Sequence, residues 1–449
     1  MDFDAFSSLV FDHGKGRLDE MELFYTSRRA LRIEVFNQKV DNYIVSDTAG
    51  VALRAVGSLG MGQSFTEKMD ERSAELLVEE AYQNGQFTDA DERPNFAKAN
   101  EARGSRHNIS ERLENIQTNE KIQMMINLET EALSLDSRVS KIQMCTYEDN
   151  LTERKIRNSL GLSLEDSSSL GYVYISVVAE QGDDVSTGSS FAVFRDPGEI
   201  DISEIAMEAV EEATSLLGAK PISSGNYGAI IKNRAFVDII EGFMPAFSGL
   251  NVQRGLSFLK GRIGEVIGSP KITIIEDPFL QDGFASCDFD DEGFRTTRKT
   301  IIHEGRLKEF LYDSRSSKKE VNKTSGNGFR DSIKSTVGTR PTNLLVEKGS
   351  RELVEIIEEM DSGILITDLA GLHSGLDFVS GDFSLQAQGF TVESGLIGEP
   401  VKGITISGNM IQLLAGIEEV ADDIFFGLPG NGCYGSPSIK IDSISVSGY

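Results

Sequence analysis

The sequence predicts an α+β protein. An N-terminal mixed α/β domain, with helices on an antiparallel or mixed sheet, precedes a C-terminal, mainly antiparallel β domain of sandwich or barrel-like form. Three observations carry this. Helical and strand patterns alternate through residues 1–220. Composition shifts at 219–226 (AKPISSGN), which places a boundary between domains 1–220 and 221–449. Beyond it, short strand patterns separated by glycine turns dominate, as in a sheet stacked or closed on itself. A chain of 449 residues can bury a core in each domain.

Taken in order, 30–40 (ALRIEVFNQKV) alternate apolar and polar side chains as a half-buried strand does, and 50–60 (GVALRAVGSLG) give a strand between glycine turns. Over 67–83, Ala74, Leu77, Val78, Ala81 and Tyr82 recur at helical spacing, and Asn84-Gly85 closes the helix. The polar run 86–110, containing Asp91-Glu92-Arg93-Pro94, reads as a loop. A helix over 119–135 buries Ile122, Met125, Ile126, Leu128 and Ala132. Strands are expected near 139–147, 151–161 and 170–180, with Glu148-Asp149-Asn150 as the hairpin turn into the middle one. Residues 202–217 form a helix stopped by Gly218, with Pro221 beyond. In the second domain strands are expected at 272–276, 298–302, 307–312, 363–368, 389–392, 401–406 and 438–446, and helices at 233–265, 351–360 and 409–420. Glu304-Gly305 turns the hairpin RKTIIHEGRLKEFLYD.

Acidic residues number 71 and basic ones 44, a net charge of −27. That surface repels nucleic acid and anionic membrane, so proteins and peptides are the expected partners. Much of the acidity also serves solubility. Cys145, Cys287 and Cys433 lie far apart with no CxxC pair, which excludes a zinc ribbon and a disulfide framework and points to a reducing, cytoplasmic setting. The opening MDFDAFSSLVFDHGKG lacks the regions of a signal peptide, and no apolar run is long enough to span a bilayer.

The densest site signal runs over 363–409. There His373, in Gly-Leu-His-Ser-Gly (371–375), is followed by Ser380-Gly381-Asp382-Phe383-Ser384 in a backbone full of glycine turns. Strand ends that run into glycine turns commonly carry functional side chains, which makes His373, Ser374 and Asp382 candidates for substrate contact. The plainer reading is a histidine bonded to backbone and an Asp382 that serves a turn. His303-Glu304 fails as HExxH, because Leu307 stands where the second histidine belongs and the segment is a hairpin. Ser380 lacks the strand–turn–helix setting of a nucleophile elbow. Cys433 and His373 could form a hydrolase pair only if the fold joins them. Gly255–Gly268 lacks the order of a phosphate-binding loop. With four histidines and no clustered ligands, no metal and no catalytic residue is assigned to this chain.

Over nearly its full length the sequence resembles the TldD/PmbA family, and more closely its PmbA branch, also called TldE. The resemblance is carried by 272–278 (ITIIEDP), 291–296 (DEGFRT), 380–384 (SGDFS), 389–395 (GFTVESG) and 404–409 (ITISGN). It implies a zinc-dependent protease complex in which a TldD-type subunit supplies HExxxH and a later cysteine, while the PmbA-type subunit lacks that motif. The pair is expected to enclose a chamber that cuts unfolded peptides, and an older name, modulator of DNA gyrase, accompanies it. Aligned on Gln253-Arg254-Gly255, the motif would fall at 240–245, where this chain has Ile240, Glu241, Gly242, Phe243, Met244 and Pro245. Without two imidazoles no open three-ligand zinc site can be built there. The resemblance therefore implies a non-catalytic partner of a TldD-type subunit that carries the zinc, with a homodimer as a further form. The competing readings are a stand-alone hydrolase around His373 and Cys433, and a gyrase-linked regulatory binding protein.

Overall fold

Period-two burial organises the first half of the chain. The computed structural model describes residues 1–58, 60–88, 95–99, 105–281, 283–320 and 323–449. The chain divides into two units: 1–217 with 288–295 and 330–337, and 218–287 with 296–329 and 338–449. The sheet of the first unit is built from β1 (Glu20–Phe36), β2 (Lys39–Val56), β3 (Met61–Thr66), β4 (Ser105–Asn108), β5 (Val139–Asn158), β6 (Ser163–Gln181) and β7 (Asp184–Phe194). Its order is β3-β2-β1-β5-β6, with antiparallel β7 and parallel β4 also pairing with β6.

Alternate side chains such as Met21, Leu23, Ile33, Val35 and Leu53 face the helices α1 (Phe3–Gly14), α2 (Glu71–Asn84), α3 (Glu111–Asn115), α4 (Thr118–Leu135) and α5 (Ile202–Ser215). The opposite face carries Phe24, Ala52, Ile156 and Leu164, which pack with Phe289 and Ile333 of the two returning segments. Charged residues share that face. Glu22 lies directly across from Arg54. Arg54 donates to Glu22 Oε1 from Nε at 3.0 Å and Nη2 at 2.6 Å, and pairs with Glu292 as well. Arg154 bridges Asp166 (2.9 Å) and Asp291 (2.7 Å), and the Arg330 backbone N–H donates to Asp291 Oδ2 at 2.8 Å. The DEGFRT motif thus fastens a loop onto this sheet through its two carboxylates.

Among the described residues the second unit contains two six-stranded sheets and one two-stranded pair. One holds β8 (Gly225–Ile231), β15 (Ser362–Ala370), β16 (Asp382–Glu393), β17 (Leu396–Asn409), β18 (Ile417–Val420) and β21 (Ile439–Ser447). Pairing of β17 with β21 closes β17-β16-β15-β8-β21 into a barrel-like ring, antiparallel except between β8 and β15. The other runs β11-β10-β9-β14-β20-β19, from β9 (Ile274–Glu276), β10 (Lys299–His303), β11 (Arg306–Leu307), β14 (Asn343–Val346), β19 (Phe425–Phe426) and β20 (Cys433–Ser436). A small pair joins β12 (Gly328–Phe329) and β13 (Gly338–Thr339). The helices are α6 (Asn233–Phe243), α7 (Gly249–Arg254), α8 (Ser314–Ser317), α9 (Leu353–Glu358), α10 (Leu372–Gly375) and α11 (Met410–Ala415). The fold class is the expected α+β arrangement with a barrel-like second sheet system.

Several expected elements differ. Glu148-Asp149-Asn150 is not a turn: β5 runs straight through it, because Glu148 pairs with Arg28 and Asp149 accepts from Tyr147 Oη and pairs with Lys121. The hairpin instead turns at 159–162. The helix expected at 233–265 breaks into α6, a 3₁₀ turn over Met244–Phe247 that holds Pro245, and α7, which stops at Gly255 with φ +74°. The helix expected at 409–420 ends at Ala415, and 417–420 pair as β18. Of the strand expected at 307–312, regular pairing keeps only Leu307, the end of β11. Within the expected loop 86–110, 105–108 form β4, while Asp91-Glu92-Arg93-Pro94 lie outside the described residues. Helix α1 was not expected at all; Asp2 caps it by accepting from the Ala5 N–H at 2.8 Å.

Candidate functional site

Helix α6 buries Ala235, Phe236, Val237, Ile239, Ile240 and Phe243, so it is a core helix whose polar side chains Arg234, Asp238 and Glu241 need polar company. It packs against β15, β19, β20 and α10. Burial, then the negative charge of Asp368, push the Asp238 carboxyl up to about 6, with Glu241 adding to the rise and Arg234 opposing it. Burial raises Asp368 as well, against the pull of Arg234 and a bond from the Leu369 N–H. Glu241 is exposed as a residue, yet protein atoms around its carboxyl still raise it. Its charge is felt by Tyr434 on β20, whose phenol is raised first by burial and next by Glu241.

Beside Asp368 lies a groove of about 240 Å³. It is walled by Asp368, Gln386, Gln388 and Thr405, with Ala370 and Gly403 giving it room. Asp368 sits across from Gln388, Ala370 from Gln386, and Gln386 from Thr405, so these residues come from three adjacent strands. Gln388 Nε2 donates to Asp368 Oδ2 at 3.3 Å.

His373 and Ser374 are exposed on the single turn of α10, which begins at Gly371 with φ +84°. Ser374 Oγ donates to the Gly371 carbonyl at 3.4 Å. An added Cβ on Gly242 would lie 2.1 Å from Leu376 Cδ1, so the glycine lets the 371–377 segment settle on α6. The structure thereby brings the turn that carries His373 to the helix that carries Asp238 and Glu241. Asp382 is exposed at the start of β16 and accepts from Asn409 Nδ2 at 2.8 Å. Asp377 orders the intervening turn by accepting from the Val379 N–H at 2.8 Å. Asp238, Asp368, Gln386 and Gln388 were not singled out in the sequence. The available signal was a carboxylate inside an apolar helix and another inside an apolar strand.

The 240–245 stretch does not fit a zinc ion. It offers one carboxylate and no imidazole, Ile240 and Phe243 point into the core, and the α-helix gives way at Met244 before Pro245. Among the described residues no group of three or more His, Cys, Asp or Glu is placed to hold a metal ion. Cys433 is fully buried at the start of β20, its Sγ 3.9 Å from the Gly427 carbonyl, so a substrate has no direct approach to the thiol.

Comparison with known proteins agrees with this architecture. Residues 21–85, 111–217 and 224–448 match, in turn, the family models for PmbA/TldA metallopeptidase domain 1, central domain and C-terminal domain. The metalloprotease PmbA homolog of Buchnera aphidicola subsp. Baizongia pistaciae is 29% identical over 321 residues, covering 71% of this chain and 68% of that one. A crystal structure from Thermotoga maritima MSB8, described as a modulator of a DNA gyrase, is 32% identical with a TM-score of 0.90, covering 99% of this chain and 100% of that one. TldE from Thermococcus kodakarensis, at 22% identity, shares the fold with a TM-score of 0.90 over 99% of this chain and 100% of its own. With the domain matches spanning both units, and the C-terminal match alone running from 224 to 448, this chain belongs to the PmbA/TldD metallopeptidase family.

Proposed function

We propose that this chain is the non-catalytic, PmbA/TldE-type subunit of a two-chain metalloprotease, pairing with a TldD-type subunit that supplies zinc and cleavage. Its own task is to hold extended, unfolded peptide substrate, with His373, Ser374 and Asp382 contacting or bracing it. The observation that carries this reading is the donor set at 240–245: one glutamate is present, the imidazoles are not, and Pro245, in the 3₁₀ turn beyond α6, occupies the second histidine position. The names of the relatives, metalloprotease PmbA and TldE, support the same class. A cytoplasmic setting is part of the proposal. Among the described residues no helix is long and apolar enough to cross a membrane.

The test is to purify the chain alone and together with a TldD-type subunit, then measure bound zinc and cleavage of an unfolded peptide. The expected result is sub-stoichiometric zinc and no cleavage alone, with chelator-sensitive cleavage when the subunits are combined. Chelator-sensitive cleavage by this chain alone would refute the proposal.

A further inference from the structure

We propose that the groove beside Asp368 is a subsite for a basic side chain, a lysine ammonium or arginine guanidinium, of the bound peptide; this rests on the peptide-holding role above and names the residue class it selects. The groove is a shaped feature of the sheet. Ala370 and Gly403 withdraw side-chain bulk where larger residues would fill it, and the flanking rows present Asp368, Gln386, Gln388 and Thr405. At about 240 Å³ it falls short of the roughly 300–1,000 Å³ of pockets that enclose whole small molecules, and suits a single long side chain.

The chemistry of the wall decides the sign of the ligand. Asp368 is the one charged group of the wall; Gln388 donates to it, and the glutamine amide oxygens and the Thr405 hydroxyl can accept further bonds from a group with several N–H donors. On helix α6, which packs against β15, Asp238 feels the charge of Asp368, Glu241 follows one helical turn on, and the Arg234 cation acts on both aspartates. Burial is the main cause that raises both aspartates, Arg234 pulls both down, and a cation entering the groove would favour the ionised form of Asp368. An anionic side chain would be repelled by the Asp368 carboxylate. Lys402 adjoins the rim and already has partners of its own. At longer range the net charge of −27 draws basic peptides toward the chain.

The test is titration calorimetry on the full chain at pH 7.5 with an unstructured peptide carrying a central lysine, and with the same peptide acetylated at that lysine. Wild-type protein is expected to bind the lysine peptide roughly tenfold or more tightly, the difference of about one charge-assisted hydrogen bond. Asp368→Asn and the groove-filling Ala370→Leu are each expected to abolish the preference while the acetylated peptide binds as before. Circular dichroism checks that both variants fold. Equal affinity of wild type for the two peptides, or a preference that survives Asp368→Asn, overturns the inference and leaves the peptide-holding role standing. Failure to bind either peptide overturns both.

Discussion

Replacing Arg54 by methionine tests the charged face of the first unit. Arg54 is 3% exposed and its partners Glu22 and Glu292 are 1% exposed, so solvent screens none of them. Methionine fills much of the volume but leaves two buried carboxylates without their guanidinium. Breaking a buried pair from one side costs about 3–5 kcal/mol, and with two carboxylates orphaned the loss belongs near the top of that range. For a unit of this size that corresponds to a drop of about 10 °C or more in melting temperature. Burial raises Glu22 above its usual range even with Arg54 present, and removal of Arg54 raises it further. A carboxyl raised in the folded state binds a proton there that the unfolded chain does not bind, so the variant loses stability as pH rises through the folded value. The gap between variant and wild type is therefore wider at pH 8 than at pH 5. Urea unfolding followed by circular dichroism measures this, since the chain has no tryptophan to report it. A loss below about 1 kcal/mol, or one that is the same at both pH values, would refute the reasoning. Adding Glu22→Gln and Glu292→Gln to the variant is expected to recover part of the loss.

Three further outcomes are expected. The Asp238 carboxyl, at about 6 in the fold against a usual 3.8, makes wild-type stability fall as pH rises between those values; Asp238→Asn removes that slope and is more stable above pH 6, by about 1–2 kcal/mol after allowance for partial exposure, as read from unfolding curves against pH. Gly389→Ala places a Cβ 1.8 Å from the Leu365 carbonyl oxygen, a backbone atom that cannot swing away, and lowers stability by about 2–3 kcal/mol in thermal denaturation. Cys145, Cys287 and Cys433 are all buried, so a thiol reagent leaves the native chain unmodified and labels all three in denaturant; prompt labelling of Cys433 would reopen the reading of it as a nucleophile.

What the sequence disclosed followed from local physics. The Glu304-Gly305 turn is visible because that pair takes the left-handed conformations a tight hairpin requires, with φ +46° and +75°. The strand before His373 is visible because it is mostly apolar, with Ile364, Leu365, Ile366 and Leu369 around Thr367-Asp368. Where distant partners decide, local pattern misleads. Glu148 and Asp149 resemble a turn until Arg28, Lys121 and Tyr147 are seen to satisfy them within a strand. The turn Asn37-Gln38, which breaks the strand expected at 30–40, has no local signal because neither residue is glycine, though both have positive φ, and Glu129 accepts from the Asn37 N–H at 2.9 Å and also from that of Gln38. Of the candidate site, glycine turns marked the segment of His373 in the sequence, but the influence of Asp368 on Asp238 joins a helix to a strand far along the chain, and no spacing rule encodes it.

The two short segments that return to the first unit set an order of events during synthesis. Phe289 and Ile333 complete an apolar face, and Asp291, Glu292 and Arg330 complete its charged one, so nothing made before residue 337 can finish that sheet. A nascent chain that has emerged only as far as Leu217 holds Arg54 with Glu22 alone and keeps Phe24, Ala52 and Ile156 open to water. The first unit must wait on the ribosome, half-closed, while nearly half of the second is made, and a protease or a chaperone that meets the chain in that interval meets its least protected form.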